Sequence, residues 1–241
     1  MPGTQVTLAL SNGQSVGATI NGRRGAKRLT LRINPITRDV VINGPLRLSK
    51  PDALAFLSSS QDWIEAHLQA LPQAAPFAEG ESVLFRGRPT LLMRRDGRGA
   101  PIYRDGALPS LEVAGSQHRF ESCVRAAFKA IAQSDAFAFS NELGQKLGKS
   151  ANSITLRDTR SRWGSCTSSG DIMLSWRLVG APPKVFEYVV AHELAHLIEM
   201  NHSVRFWNQV ETLMPDWKPA RAWLKADGAS LHALGRYSIY K

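Results

Sequence analysis

The chain has 241 residues, 43% of them hydrophobic and 21% charged, the balance of a globular protein with ample material for a core. Thirty Lys and Arg against 20 Asp and Glu leave a formal net charge of +10, and two cysteines, Cys123 and Cys166, are too few for a disulfide framework. No apolar run reaches the roughly 18 residues of a membrane helix, and the opening MPGTQVTLALSNGQSVG lacks a basic start followed by an apolar block. A membrane span, a signal peptide and a membrane partner are therefore not expected, and a reducing cytoplasm is.

The charge is uneven. Residues 1–50 carry eight basic side chains (Arg23, Arg24, Lys27, Arg28, Arg32, Arg38, Arg47 and Lys50) against the single acid Asp39. A nucleotide, a nucleic acid or another polyanion fits such a segment, and a plain solvated basic surface is the alternative.

In chain order, the first fifty residues read as short strands: Gln5–Leu10, Val16–Ile20, Leu29–Ile33 and Val40–Ile42, separated by Asn-Gly and Asn-Pro turn signals. Leu29, Leu31 and Ile33 alternate with Thr30 and Arg32, which makes one face polar and basic. Ser49 or Asp52 then starts one helix to about Leu71, ended by Pro72 and Pro76. Strand-like runs return at Ser82–Phe85, Thr90–Arg94 and Ile102–Arg104. The Ala-Leu-Pro-Ser stretch at 107–110 is the expected boundary between a basic, β-rich region with one helix (1–110) and a second region (111–241). Ser116 opens a long helix to about Leu147, with a break expected near Ser134-Asp135, and His118 at its start reads as a surface histidine.

Residues 153–179, SITLRDTRSRWGSCTSSGDIMLSWRLV, suggest strands at Ser153–Arg157 and Asp171–Trp176 forming a hairpin. An extended strand there could bind a peptide by adding it to the sheet. Cys166 reads as a small buried residue, with a reactive thiol or a metal ligand as alternatives. Arg160 and Arg162 either bind a carboxylate or phosphate or brace the loop through ion pairs.

The chemistry concentrates in PPKVFEYVVAHELAHLIEMNHSVRFW, residues 182–207. Apolar side chains at Val185, Phe186, Val189, Val190, Leu194, Leu197 and Ile198 recur as one helical face, and Pro182 and Pro183 suit a first turn. His192 and His196, four apart in an H-E-x-x-H box, then share a face and can point at one ion. Glu193 projects to the side, where it can act as general base on a water without binding the metal. His202, six residues beyond His196, would be rotated roughly 240° and raised about 9 Å on a continuing helix. The chain must turn first, with Asn201 suited to a left-handed position and Ser203 to capping a helix through Val204–Leu213. His202 can then return as a third ligand.

Farther on, Phe206, Trp207, Val210 and Leu213 have core spacing, Met214 reads as a core filler, and Asp216 caps a last helix closed by Gly228. His232 or Tyr237 could donate a hydrogen bond to a transition-state oxyanion, though no spacing selects either.

On HELAHLIEMNHSVRFW, SRWGSC and APPKVFEYVVAHE, the chain closely resembles the YgjP-like metallopeptidases, relatives of the SprT-like and WLM zincins. The resemblance implies a bacterial cytoplasmic enzyme with a zincin-like catalytic half. It further implies zinc held by His192, His196 and His202, with Glu193 as catalytic acid and base. The metzincin pattern has Gly where this chain has Glu199, so the turn must be built differently, and Glu199 is a weaker candidate ligand than His202.

The expected architecture is α+β: a β-rich N-terminal region, then a mainly helical, zincin-like region with a short hairpin or small sheet. The expected function is a zinc-dependent metallopeptidase acting on a peptide or protein substrate. Two alternatives remain. Metal-assisted attack on a nucleoside triphosphate could release pyrophosphate, with the basic N-terminal segment attracting the nucleotide. A non-catalytic, metal-stabilised module could bind nucleic acid instead. Structural zinc sites usually close with four protein ligands, which disfavours the last reading.

Overall fold

A computed structural model describes residues 3–34, 37–71, 75–159 and 161–236. The chain divides into two compact units, Met1–Pro72 and Gln73–Lys241. Both are mixed α+β, and three small sheets are formed among the described residues. No helix is long and apolar enough to cross a membrane among those residues.

The first unit is a four-stranded sheet under two helices. Its strands are β1 (Thr4–Ala9), β2 (Ser15–Arg23), β3 (Thr30–Ile33) and β4 (Val40–Pro45), in the order β1-β2-β4-β3. β1 and β2 form an antiparallel hairpin, β2 and β4 run parallel, and β3 returns antiparallel to β4. Alternation sorts the faces: Val16, Ala18, Ile20, Val40 and Ile42 point into the core, where Ala53, Leu57, Ile64 and Leu68 of the helices meet them. The single helix expected to Leu71 is two, α1 (Lys50–Ser59) and α2 (Gln61–Ala70). They divide at Ser60, whose backbone (φ −102°, ψ 7°) leaves the helical region within a run of three serines. Ser49 caps α1, its side chain accepting from the Asp52 amide at 3.2 Å.

The second unit begins with β5 (Ser82–Phe85), β6 (Arg88–Arg95), β7 (Ile102–Arg104) and β8 (Ser110–Ala114), in the order β5-β6-β8-β7. The boundary expected at 107–110 therefore falls inside one sheet. Leu108 and Pro109 resemble a linker because they turn the chain between two paired strands, β7 and β8.

Next come α3 (Phe120–Leu147), β9 (Ser153–Arg157), β10 (Gly164–Cys166), β11 (Asp171–Ser175), α4 (Pro183–Ala195), α5 (Val204–Leu213) and α6 (Trp217–Ala226). α3 is unbroken for 28 residues. The break expected at Ser134-Asp135 does not occur because both residues lie off the buried stripe of Val124, Phe128, Ala132, Ala136 and Leu143. Asp135 also pairs with Arg86 at 2.9 Å. The helix stops at Gly148, whose φ of 69° is the left-handed C-terminal cap.

The expected hairpin of Ser153–Arg157 with Asp171–Trp176 is a three-stranded sheet instead, in the order β10-β11-β9. β9 lies parallel to β11, and the hairpin is made by β10 with β11. β10 was invisible to periodicity because GSC has no apolar alternation; its pairing partner alone makes it a strand.

Candidate metal centre

α4 carries His192 on its final turn and delivers His196 at its C-terminal cap. Its buried stripe, Val185, Phe186, Val189, Val190 and Leu194, seats the helix in the core and leaves His192 partly exposed at the edge. The helix ends at Ala195, with His196 at the cap position. Tight turns follow at once: the Leu197 amide donates to Leu194 O and the Ile198 amide to Ala195 O. Asn201 then redirects the chain, but not through left-handed backbone as expected from the sequence. Among the described residues only Arg38 and Arg86 have positive φ outside glycine. Asn201 acts through its side chain, accepting from the Ser203 amide at 2.9 Å and donating to Glu199 Oε1 at 2.7 Å. Ser203 caps α5, accepting from the Phe206 amide at 3.4 Å.

The turn brings His202 back. Ring-to-ring distances among His192, His196 and His202 are 4.9–5.1 Å, and one nitrogen from each lies within 4.8 Å of the others. Phe206 is fully buried and forms a common floor, its ring 4.8 Å from His192, 4.5 Å from His196 and 4.7 Å from His202. His192 Nε2 and His202 Nε2 face each other at 3.1 Å. Two ligand nitrogens on one tetrahedral zinc, each about 2.0–2.1 Å from it, stand about 3.3–3.4 Å apart. His196 Nδ1 lies 3.0 Å from the Glu199 carbonyl oxygen. A carbonyl can only accept, so Nδ1 carries the proton and Nε2 keeps its lone pair for a cation.

Electrostatics favour the same form. Burial, reinforced by His196, His202 and Arg221, pushes the His192 pKa down to about 3, and burial lowers that of His196. Burial thus favours the neutral form of both rings, the form in which an imidazole can bind a metal. Glu193 follows His192 and is buried; desolvation raises its pKa to about 8, opposed by the positive charge of Arg162. Its carboxylate sits against β10, where a Cβ placed on Gly164 would come within 2.5 Å of Glu193 Oε1.

Residues 27–227 match the family described as YgjP-like, metallopeptidase domain. The chain belongs to the YgjP-like family. Family membership at this level implies a metal ion, and the donor set fits one: three converging imidazoles, with His196 held in a ligand-ready tautomer. The crystal structure of the metallopeptidase zymogen of Pyrococcus abyssi abylysin is similar over 37% of this YgjP-like chain and 93% of its own length, at 23% identity and a TM-score of 0.34. No curated protein matches the chain.

Other residues singled out in the sequence fall around this centre or away from it. Cys166 is half-buried, and burial together with Glu193 and Asp171 raises its pKa to about 11, so it stays a thiol outside the histidine cluster. Glu199 spends its carboxylate on Asn201 and its carbonyl on His196, which makes it a brace of the turn. His232 stacks on Trp163 at 4.7 Å, and burial pushes its pKa down to about 4; it is not among the three converging histidines. His118 is exposed, and Met214 is a buried core residue. Arg160 and Tyr237 lie outside the described residues.

Sequence reasoning missed two features. Gly164 leaves room for Glu193, a clearance that glycine at an edge strand can signal. A stack of Tyr188, Trp217 and Trp207 backs His192, with the Arg221 guanidinium 4.7 Å above the Trp207 ring. A shallow cleft of about 330 Å³ opens beside His196 between Lys149, Ser168, Ser169 and Met200.

Proposed function

We propose that this chain is a zinc-dependent metallopeptidase in which His192, His196 and His202 hold the ion and Glu193 serves as general base and then general acid. The observation that carries the reading is the convergence of three imidazoles beside a buried carboxylate that does not belong to the cluster. A zincin-like arrangement of the catalytic part accords with it: metal helix, turn, third ligand and a neighbouring edge strand. Zinc, when bound, supplies a Lewis acid that polarises a carbonyl and brings the pKa of water to about 7.

The protein's own groups do the rest. Glu193, in its ionised form, takes the proton of the attacking water and passes it to the departing amine. Burial favours the carboxyl's neutral form even with Arg162 nearby, and a dication held by the histidines would favour the carboxylate. The substrate backbone adds to β10, the edge of its sheet, so an extended peptide runs past Gly164 and reaches Glu193. This addition sets the reacting carbonyl without requiring a particular side chain.

The test measures metal content and turnover on a peptide library for wild type, Glu193→Gln and His192→Ala. Glu193→Gln should keep zinc and lose about 10²–10⁴-fold in turnover, as expected for removal of a general acid–base group. His192→Ala should lose both. Full activity in Glu193→Gln would overturn the mechanism. Chelator-sensitive release of pyrophosphate from nucleoside triphosphates, with no peptide cleaved, would overturn the substrate class.

A further inference from the structure

The first unit holds a second site of different chemistry. Its sheet buries one face, and the opposite face carries Asn21, Arg23, Thr30, Arg32 and Asn43, brought together by the pairings Thr30 with Asn43 and Asn21 with Asn43. The 24–29 connection lays Lys27 and Arg28 along the same side, closing a cradle of about 460 Å³. Four cations, Arg23, Lys27, Arg28 and Arg32, line it with the hydrogen-bonding side chains of Thr30 and Asn43. All four are exposed, and none forms an ion pair among the described residues.

We infer that this cradle binds the phosphodiester backbone of a nucleic acid, independently of base sequence and of the metal centre. Three of the four cations are arginines, whose planar forks suit phosphate oxygens. The basic surface extends beyond the cradle. β2 and β4 are parallel with Arg23 opposite Pro45, so Arg24 and Arg47 leave from the same end of the sheet. That is more charge than one phosphate neutralises, and it suits an elongated polyanion. No aromatic ring is among the lining residues, so contact is with phosphates and not by base stacking, which favours a duplex over a single strand. The inference goes beyond the peptidase reading and does not depend on it.

The experiment is fluorescence anisotropy of the full chain with a labelled random-sequence DNA duplex across a salt series, with chelator present throughout. Four neutralised phosphates predict a log–log slope near about −3.6, hence a loss of about 150-fold in affinity from roughly 50 to 200 mM salt. The fourfold variant Arg23→Ala/Lys27→Ala/Arg28→Ala/Arg32→Ala should flatten the slope by about 3.6, while Lys129→Ala/Lys225→Ala, exposed lysines of the other unit, should leave it unchanged. Circular dichroism checks that the variants fold. Should the fourfold variant fail to fold, Arg32→Gln alone must lower the slope by about one. An unaltered slope in the cradle variants would overturn the inference. So would competition by poly-glutamate as effective as that by unlabelled duplex at equal charge, or binding of nucleoside triphosphate as tight as binding of duplex.

Discussion

A methyl group at position 164 would stand 2.5 Å from Glu193 Oε1, nearer than atoms can approach, and 2.8 Å from two carbons of the same side chain. Glu193 is hemmed in by the core behind it, so Gly164→Ala must push the carboxylate off its position. The imidazoles are untouched by that change. Gly164→Ala should therefore keep its metal while losing about 10²-fold in turnover, the usual cost of misplacing a reacting group by about 1 Å. Metal analysis beside peptide kinetics checks it; unchanged turnover would mean that Glu193 tolerates displacement. At this scale the sequence was informative about identity and mute about clearance. H-E-x-x-H names two donors and a carboxylate by helical phase alone, whereas Gly164 matters through a neighbour nearly thirty positions away.

Among elements, the turn between α4 and α5 decides whether the third histidine arrives. Asn201 spans it with two side-chain hydrogen bonds, to Ser203 and Glu199, and Glu199 in turn fixes the ring of His196. Asn201→Ala removes both bonds without touching a ligand. Metal affinity should fall about 10- to 100-fold, as for other groups that orient ligands; competition with a chelator of known affinity measures it.

The β10–β11 hairpin has its own brace. Asp171 accepts from Ser153 and Ser169 at 2.6 and 2.7 Å and from Asn152 at 2.8 Å, and these bonds lower its pKa from 3.8 to about 2. A depressed carboxyl contributes stability above its unfolded pKa and loses it as pH falls through the folded one. The denaturation midpoint of wild type should exceed that of Asp171→Asn at neutral pH, and the gap should close between about pH 4 and pH 2. A gap that persists below that window would assign the effect to shape rather than charge. These elements were legible where hydrophobic period was strong, as in α4 and α5. They were illegible where a strand is three residues of Gly, Ser and Cys, or where α3 runs through a polar pair that only its buried opposite face keeps helical.

Over the whole molecule, the two compact units have separate cores that share no residue. Leu57 lies in the first and is fully buried. Leu57→Ala should cost about 3 kcal/mol within that unit, read as a lowered denaturation midpoint, and leave metal affinity at the histidines unchanged. A loss of metal affinity would show that the units do not act independently.

The place where the chain divides into two units was the feature of the molecule least visible in the sequence. A linker and a turn between paired strands use the same residues, and only pairing tells the Pro109 turn from a boundary. Sequence by itself determined the local terms: strands where apolar and polar residues alternate, a helix carrying two histidines on one face, a cap at Ser203, and a surplus of positive charge before residue 50. Each depends on neighbours within a few positions, where backbone geometry is nearly fixed. Tertiary structure alone decided that His202 closes on His192, that Phe206 lies beneath all three rings, that β10 passes Glu193, and that four scattered cations share one cradle. Those relations depend on how the chain turns and on which segments meet, and packing, not period, sets them.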